Sequence, residues 1–237
     1  MNVELIKEDL SIYGFNLFAV VDFPPDDDAT TKADGSVLLI GNAGNSLWDN
    51  LSAEYLQRAD PIDEYTVATV GHVMRERAGE CDWQFLFPGN AAVNEVPNLQ
   101  RLGAAAGWHH NSPLGIGINE RYGLWFGYRA VVRIGVPVSA SSGSASSGSA
   151  VSSPCLTCEE KACLQACPAN ALSASEPPNL TACSKWRVQE QSGCASTCLA
   201  RISCPVAVEW RYSDAQIAYY YERSLPSLLR WTEEGAE

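Results

Sequence analysis

Eight of the nine cysteines lie within residues 155–204, while Cys81 stands alone. The first four are spaced C-x2-C-x4-C-x3-C and are followed directly by Pro168; the second four are also followed by a proline, Pro205. Thiolates at such short spacing can wrap a metal centre, and closely spaced cysteines ending in Cys-Pro are typical of iron–sulfur ligation. The eight are Cys155, Cys158, Cys163, Cys167, Cys183, Cys194, Cys198 and Cys204.

Two four-cysteine runs, each closed by Cys-Pro, form a pseudo-repeat that is typical of a ferredoxin-like segment with two [4Fe–4S] clusters. In such segments the fourth cysteine of a run ligates the other cluster. The pattern therefore predicts two interleaved ligand sets. The first predicted set is Cys155, Cys158, Cys163 and Cys204. The second predicted set is Cys167, Cys183, Cys194 and Cys198.

Zinc is the competing metal, because it also uses sites of four cysteines and would make the segment a zinc-stabilised binding module. Zinc motifs, however, usually place two short cysteine knuckles apart and give no reason for Cys-Pro endings. Disulfides are the other alternative. They are disfavoured because the first residues contain no basic and apolar secretory signal, and the cytosol keeps thiols reduced.

The amino-acid composition disfavours two classes of binding partner, membranes and nucleic acids. With 46% hydrophobic residues the chain can bury a core, and no run of apolar residues is long enough to predict a membrane span. We therefore expect a soluble, cytoplasmic protein without a membrane partner. A formal charge of -12 repels phosphate backbones, so the composition also disfavours nucleic acid as a partner.

Helical and strand patterns alternate before the cysteines. The first helix is predicted to bury Leu5, Ile6 and Leu10 and to end at Gly14. Strands are predicted at 15–21, 36–40 and 82–87, and a hairpin with arms 113–119 and 123–136. Further helices are predicted at 47–56 (capped by Ser46), 61–77, 96–106 and 213–231, the last kinked or split at Pro226.

Residues 139–153 are almost entirely Ser, Gly and Ala, a composition that behaves as a flexible linker. This stretch predicts the domain boundaries. Residues 1–138 would form an α/β (α+β) sheet-and-helix domain and 154–208 a small ferredoxin-like segment. Residues 209–237 would form a helix that docks on the first domain.

Three runs precede the cysteine segment: Leu102-Gly-Ala-Ala-Ala-Gly-Trp108, Leu114-Gly-Ile-Gly-Ile-Asn119 and Tyr122-Gly-Leu-Trp-Phe126. Together with the two-cluster segment that follows them, these runs resemble the epoxyqueuosine reductase family, which depends on cobalamin. In that family an aspartate upstream of the Gly-rich run is the proton donor. The comparable region, residues 87–92, has none here. With the strongly acidic composition, this difference disfavours a tRNA substrate.

Other stretches resemble the eukaryotic cobalamin-processing chaperone, which removes upper ligands from the corrinoid: Asp60-Pro-Ile-Asp-Glu64, Ile116 to Phe126 with Arg129-Ala-Val-Val132, and Arg211-Tyr-Ser-Asp-Ala-Gln-Ile-Ala-Tyr219. Both resemblances imply a nitroreductase-like (flavin-reductase-like) core that holds cobalamin without a histidine ligand to cobalt. By the same resemblance, Tyr122, Trp125 and Phe126 would line the corrinoid pocket.

The motifs and the resemblance together predict an iron–sulfur reductase that relays electrons to a cofactor or substrate held by the N-terminal domain. The resemblance implies that this cofactor is cobalamin. Cobalt would do the difficult chemistry and the protein would set orientation and potential. The alternative is a non-catalytic protein, either a ferredoxin-like electron carrier or a corrinoid-binding chaperone. The expected partners are the corrinoid and an electron donor such as a flavodoxin or a ferredoxin reductase.

Overall fold

The structure, a computed structural model, describes residues 1–22, 36–89, 97–135 and 152–234. The chain forms two compact units. Unit 1 comprises Met1–His109 and Phe126–Val151, and unit 2 comprises His110–Trp125 and Ser152–Glu237. The predicted first domain, 1–138, therefore differs from unit 1, because residues 110–125 group with the cysteine segment. The predicted linker, 139–153, lies outside the described residues up to position 151.

Regular elements are short apart from two helices. The strands are β1 Leu17–Asp22, β2 Ser36–Ala43, β3 Trp83–Phe87, β4 His110–Asn111, β5 Gly117–Ile118 and β6 Phe126–Ile134. The α-helices are α1 Val3–Ile12, α2 Pro61–Arg77, α3 Leu99–Ala105, α4 Pro154–Thr157, α5 Ala162–Gln165, α6 Leu180–Arg187, α7 Leu199–Ile202 and α8 Asp214–Glu234. In the described part of the chain, no helix is both long and apolar enough to cross a membrane.

Unit 1 is built on an antiparallel sheet with the strand order β1-β2-β6-β3. Every residue of β2 is buried, as its apolar sequence requires of a strand with neighbours on both edges. The predicted helix at 61–77 is confirmed as α2, which begins at Pro61 and buries Ile62, Val70 and Val73. The expected mixed α/β class is confirmed, with a small antiparallel sheet.

The predicted hairpin of 113–119 and 123–136 is wrong. Its second arm becomes β6, which pairs with β2 on one edge and β3 on the other. The first arm contributes only β5, which pairs with β4 in unit 2. A tight turn does join Asn119 and Gly123 through two backbone hydrogen bonds of 3.1 and 2.9 Å. A strand as apolar as β6 buries more apolar surface between two neighbouring strands than it would in a hairpin with one.

The predicted helix at 47–56 is also wrong. Two single 3₁₀ turns, Trp48–Asn50 and Tyr55–Gln57, occupy this stretch. Ser46 does not cap a helix here, because its hydroxyl donates to the carbonyl oxygens of Gly14 (2.8 Å) and Ala43 (3.2 Å). A serine hydroxyl bonded to backbone carbonyls stabilises a turn at the expense of the helix.

Two smaller predictions about helices need correction. Helix α1 buries Val3, Ile6 and Leu10, but Leu5 is 40% exposed and lies on the outer face. Helix α8 continues through Pro226 and is not split there, and the alternative prediction of a kink at Pro226 stays a prediction. Helix α8 belongs to unit 2, and the predicted docking of residues 209–237 on the first domain stays a prediction.

Gly14 occupies a backbone conformation that an alanine would strain. Its φ is +89°, and a Cβ would clash with the carbonyl oxygen of Ser46. We expect Gly14→Ala to lower the free energy of unfolding by about 2–4 kcal/mol, from left-handed strain and overpacking together. Gly79→Ala is the matched control, because Gly79 has a φ of +62° but nothing within 4 Å of its Cβ position. Urea denaturation should show a loss of only about 1–2 kcal/mol for the control; equal losses would contradict the clash.

Candidate metal centre

Four cysteines from distant parts of the cysteine segment line one cavity in unit 2. We call Cys155, Cys158, Cys163 and Cys204 the Cys155 set. The remaining walls are mainly apolar, formed by Pro113, Leu114, Ile118, Leu124, Pro154, Ala162, Pro205 and Val206, and they also include Ser112 and Lys161. These are the four cysteines that the interleaved pattern predicted as one ligand set.

Short helices and tight turns present these thiols. Ser153 caps α4 by accepting a hydrogen bond from the backbone N–H of Cys155 at 3.3 Å. Lys161 then turns the chain with a φ of 43°, and α5 begins immediately after it and carries Cys163. Cys204 is 8% exposed and belongs to a small apolar core with Ile118 and Leu124. The set is therefore held partly by a hydrophobic core rather than by loops alone.

The thiols of the Cys155 set influence one another. Burial raises the pKa of Cys155, Cys163 and Cys204, and negative charge on neighbouring thiolates of the same set, Cys158 included, raises it further. Lys161 acts in the opposite direction on the pKa of Cys155. Without a bound metal, the thiols of Cys155, Cys163 and Cys204 therefore favour the protonated form at neutral pH, because their pKa values are raised. A metal centre would replace the protons and remove the repulsion between the sulfurs.

A second group, the Cys183 set, comprises Cys167, Cys183, Cys194 and Cys198. Burial raises the pKa of Cys183 and of Cys194, and the thiolates of Cys167 and Cys198 raise both pKa values further. Arg187 lowers both. The sulfur of Cys167 accepts a hydrogen bond from the backbone N–H of Ala171 at 3.4 Å. N–H bonds to sulfur stabilise thiolate charge, which is what a metal ligand needs.

Two packed helices connect the sets. Cys163 of the Cys155 set lies in α5, and Cys167 of the Cys183 set follows that helix. Helix α7, which contacts α5, has Cys198 at its N-cap and is followed by Cys204. The two helices therefore carry one cysteine of each set at opposite ends, in opposite chain order. Such an exchange is the interleaving expected of a two-cluster segment.

All nine cysteines are free, so no disulfide competes for these sulfurs. Cys81 belongs to unit 1, whereas the other eight cysteines belong to unit 2, and it is partly exposed. Within the described residues, no three His, Cys, Asp or Glu side chains converge closely enough to hold a single metal ion. The thiols of the Cys155 set line a cavity and do not meet at one point. The eight-ligand assignment stays a prediction.

Buried polar atoms without a hydrogen-bond partner are concentrated in unit 2. Buried polar groups in proteins are nearly always hydrogen-bonded, so each exception needs an explanation. Among the described residues the exceptions are His110 Nε2, Trp125 Nε1, Trp186 Nε1, Arg201 Nε, Arg211 Nε and both amide atoms of Gln216. Most of these are N–H donors, and two belong to guanidinium groups. A negatively charged group held by the same unit fits this donor set.

Sequence reasoning missed three arginines near the cysteines: Arg187, Arg201 and Arg211. Arg187 follows Cys183 by one helical turn in α6, which places both on one face. Arg201 lies between Cys198 and Cys204, and its guanidinium donates to the carbonyl oxygen of Leu124 at 2.6 Å. The i, i+4 spacing of Cys183 and Arg187 was the signal in the sequence that could have identified the first of them.

The three aromatic residues predicted to line a corrinoid pocket have different surroundings. Trp125 is fully buried in a cluster with Tyr212 and Ile217. Tyr122 is 9% exposed and meets the ring of Trp210 edge to face, with 4.8 Å between ring centroids. Both belong to unit 2, whereas Phe126 begins β6 in unit 1. Their role toward a corrinoid stays a prediction.

Comparison with known proteins assigns no family to this chain. No protein-family model matches it, and no curated protein matches it in sequence.

Proposed function

We propose that this protein holds two [4Fe–4S] clusters in the Cys155 set and the Cys183 set and relays electrons to a corrinoid, cobalamin, bound by its N-terminal region. The observation that carries the proposal is the grouping of eight thiols into two sets of four, each drawing cysteines from both runs of the sequence. Clusters of this kind are held by four thiolates and accept one electron at a time. Their chemistry suits a relay rather than hydride or acyl transfer.

The protein's own residues would have three tasks. The eight cysteines hold the clusters, and the backbone N–H groups of Ala171 and Leu199 donate to the sulfurs of Cys167 and Cys194. The apolar walls of the Cys155 set limit access of water, which is one of the means by which proteins set reduction potential.

The finer fold proposal, a nitroreductase-like core with a ferredoxin-like segment, rests on the resemblance described above. The cobalamin supplies the reactive cobalt when it is bound.

One observation favours the non-catalytic alternative, an electron carrier. The indole of Trp125, which was predicted to line the corrinoid pocket, is fully buried against other side chains of unit 2. A protein that carries electrons between partners needs clusters but no corrinoid pocket.

Anaerobic purification followed by metal and sulfide analysis tests the cluster proposal. We expect about eight iron and about eight sulfide ions per chain and a broad visible absorption that bleaches on reduction. Stoichiometric zinc without sulfide would instead establish the zinc-stabilised binding module. Hydroxocobalamin is then added to protein reduced with titanium(III) citrate, and cobalt reduction is followed by absorption. Faster cobalt reduction than with titanium(III) citrate alone supports the corrinoid relay; an unchanged rate with fully loaded protein favours the carrier.

A further inference from the structure

We propose that Arg187 and Arg211 are fixed counter-charges of the two cysteine sets, Arg187 for the Cys183 set and Arg211 for the Cys155 set, and raise the reduction potentials of the clusters held there. The inference rests on the proposed function, since it assigns regulators of potential within the same site. Neither residue is a predicted metal ligand.

Arg187 is held against the Cys183 set by neutral acceptors. Its Nε donates to the carbonyl oxygen of Cys194 at 3.1 Å. Its terminal nitrogen donates to the carbonyl oxygen of Tyr221 at 2.8 Å and to the hydroxyl of Ser224 at 3.0 Å. The guanidinium also lies 4.7 Å from the centroid of the Tyr221 ring. These contacts fix the position of the positive charge without cancelling it.

Arg211 is held in a comparable way beside the Cys155 set. Its terminal nitrogen donates to the carbonyl oxygen of Ile202 at 2.6 Å, two residues before Cys204. Its guanidinium carbon is 5.8 Å from the ring centroid of Trp125, and its Nε is buried without a hydrogen-bond partner.

Neither arginine forms an ion pair with a carboxylate in the part of the chain that the structure describes. The whole chain contains 28 acidic and 16 basic residues, so carboxylate partners are plentiful in the sequence. A partly buried cation without a counter-ion is costly, and neutral acceptors repay only part of that cost. A cluster with four thiolates is negatively charged and would supply the counter-ion.

The sign of the effect follows from Coulomb's law. Each one-electron reduction adds one negative charge to the cluster, with the electron supplied by the electrode or reductant. A nearby positive charge stabilises the reduced form more than the oxidised form. Removal of the charge therefore shifts the potential to more negative values.

Redox titration of the reconstituted full chain, followed by electron paramagnetic resonance, tests the inference. The variants are Arg187→Gln and Arg211→Gln, and Arg223→Gln is the control because Arg223 is exposed and lies over the Tyr219 ring at 5.3 Å. We expect each test variant to lower the reduced-to-oxidised ratio of one cluster about tenfold at a fixed potential, a shift of about 59 mV for one electron. The two variants should affect different clusters, and the control neither.

Iron and sulfide are measured first. Their absence from the wild-type protein would refute the proposed function rather than this inference. Loaded Gln variants whose potentials equal that of Arg223→Gln would overturn the inference, as would a shift of the same cluster by both. If a Gln variant loses its cluster, the variants Arg187→Lys and Arg211→Lys distinguish a role of the positive charge from a role of the hydrogen bonds. Full loading at the wild-type potential supports a role for charge, whereas a lost cluster or a shifted potential shows that the arginines act through their hydrogen bonds.

Discussion

Replacing Cys155 and Cys204 together by serine is expected to remove one of the two clusters, which is about half of the bound iron. The iron lost by this double variant should equal the iron lost by either single variant. The two residues are far apart in sequence, but both line the same cavity in unit 2. Once one ligand of a cluster is lost, the loss of a second ligand of the same cluster has little left to remove. Iron and sulfide analysis after anaerobic reconstitution measures how much of each cluster the single and double variants retain.

The matched double variant takes one cysteine from each set. Cys155→Ser with Cys194→Ser is expected to lose both clusters, about eight iron ions. Cys81→Ser should lose none, because Cys81 lies in unit 1 and no other cysteine accompanies it there. If each run of four consecutive cysteines held its own cluster, the Cys155 and Cys204 double variant would instead lose both. That result would refute the interleaved assignment while leaving the presence of clusters intact.

Trp125→Ala is expected to destabilise unit 2 by about 3–5 kcal/mol, the range for truncating a buried aromatic residue. Trp125 is fully buried and meets Tyr212 edge to face, with ring centroids 5.4 Å apart. The guanidinium of Arg201 lies 4.5 Å from its ring centroid, so the variant would also remove a cation–π contact. Urea denaturation of the anaerobically reconstituted protein, followed by the visible absorption of the clusters, measures the loss.

Trp231→Ala provides the control, because Trp231 is 46% exposed and its truncation leaves no comparable cavity. We expect a change within about 0.5 kcal/mol for this variant. Trp125→Phe should fall between the two, since a phenyl ring fills much of the space. Should Trp125→Ala prove as stable as the control but bind hydroxocobalamin more weakly, Trp125 would be a corrinoid-lining residue and not a core residue.

Local patterns in the sequence were sufficient for several elements. Pro61 at the first helical turn and apolar residues at helical spacing predicted α2 with the bounds that the structure has. The apolar runs predicted β1, β2 and β3 to within a few residues. These signals lie within one helical turn or one strand, so the element can be predicted without knowing which distant residues it contacts.

The errors came where distant residues decide between local alternatives. Residues 126–134 could have paired with the neighbouring arm at 113–119, but burial on both edges between β2 and β3 is the more stable arrangement. The hydroxyl of Ser46 is positioned by Gly14 and Ala43, not by the residues that follow it. Neither partner can be recognised from a window of sequence around the residue concerned.

For the candidate site, residue type and spacing alone determined which chemistry is available: eight thiols in two Cys-Pro-terminated runs. Tertiary structure decided what surrounds them. It placed residues 110–125 in unit 2, so that Leu114, Ile118 and Leu124 form walls beside Cys204, and it held Arg187 and Arg211 by carbonyl oxygens rather than carboxylates. The physical reason is that ligand chemistry resides in a side chain, whereas burial and the acceptor that holds a charge depend on chain segments brought together only by folding.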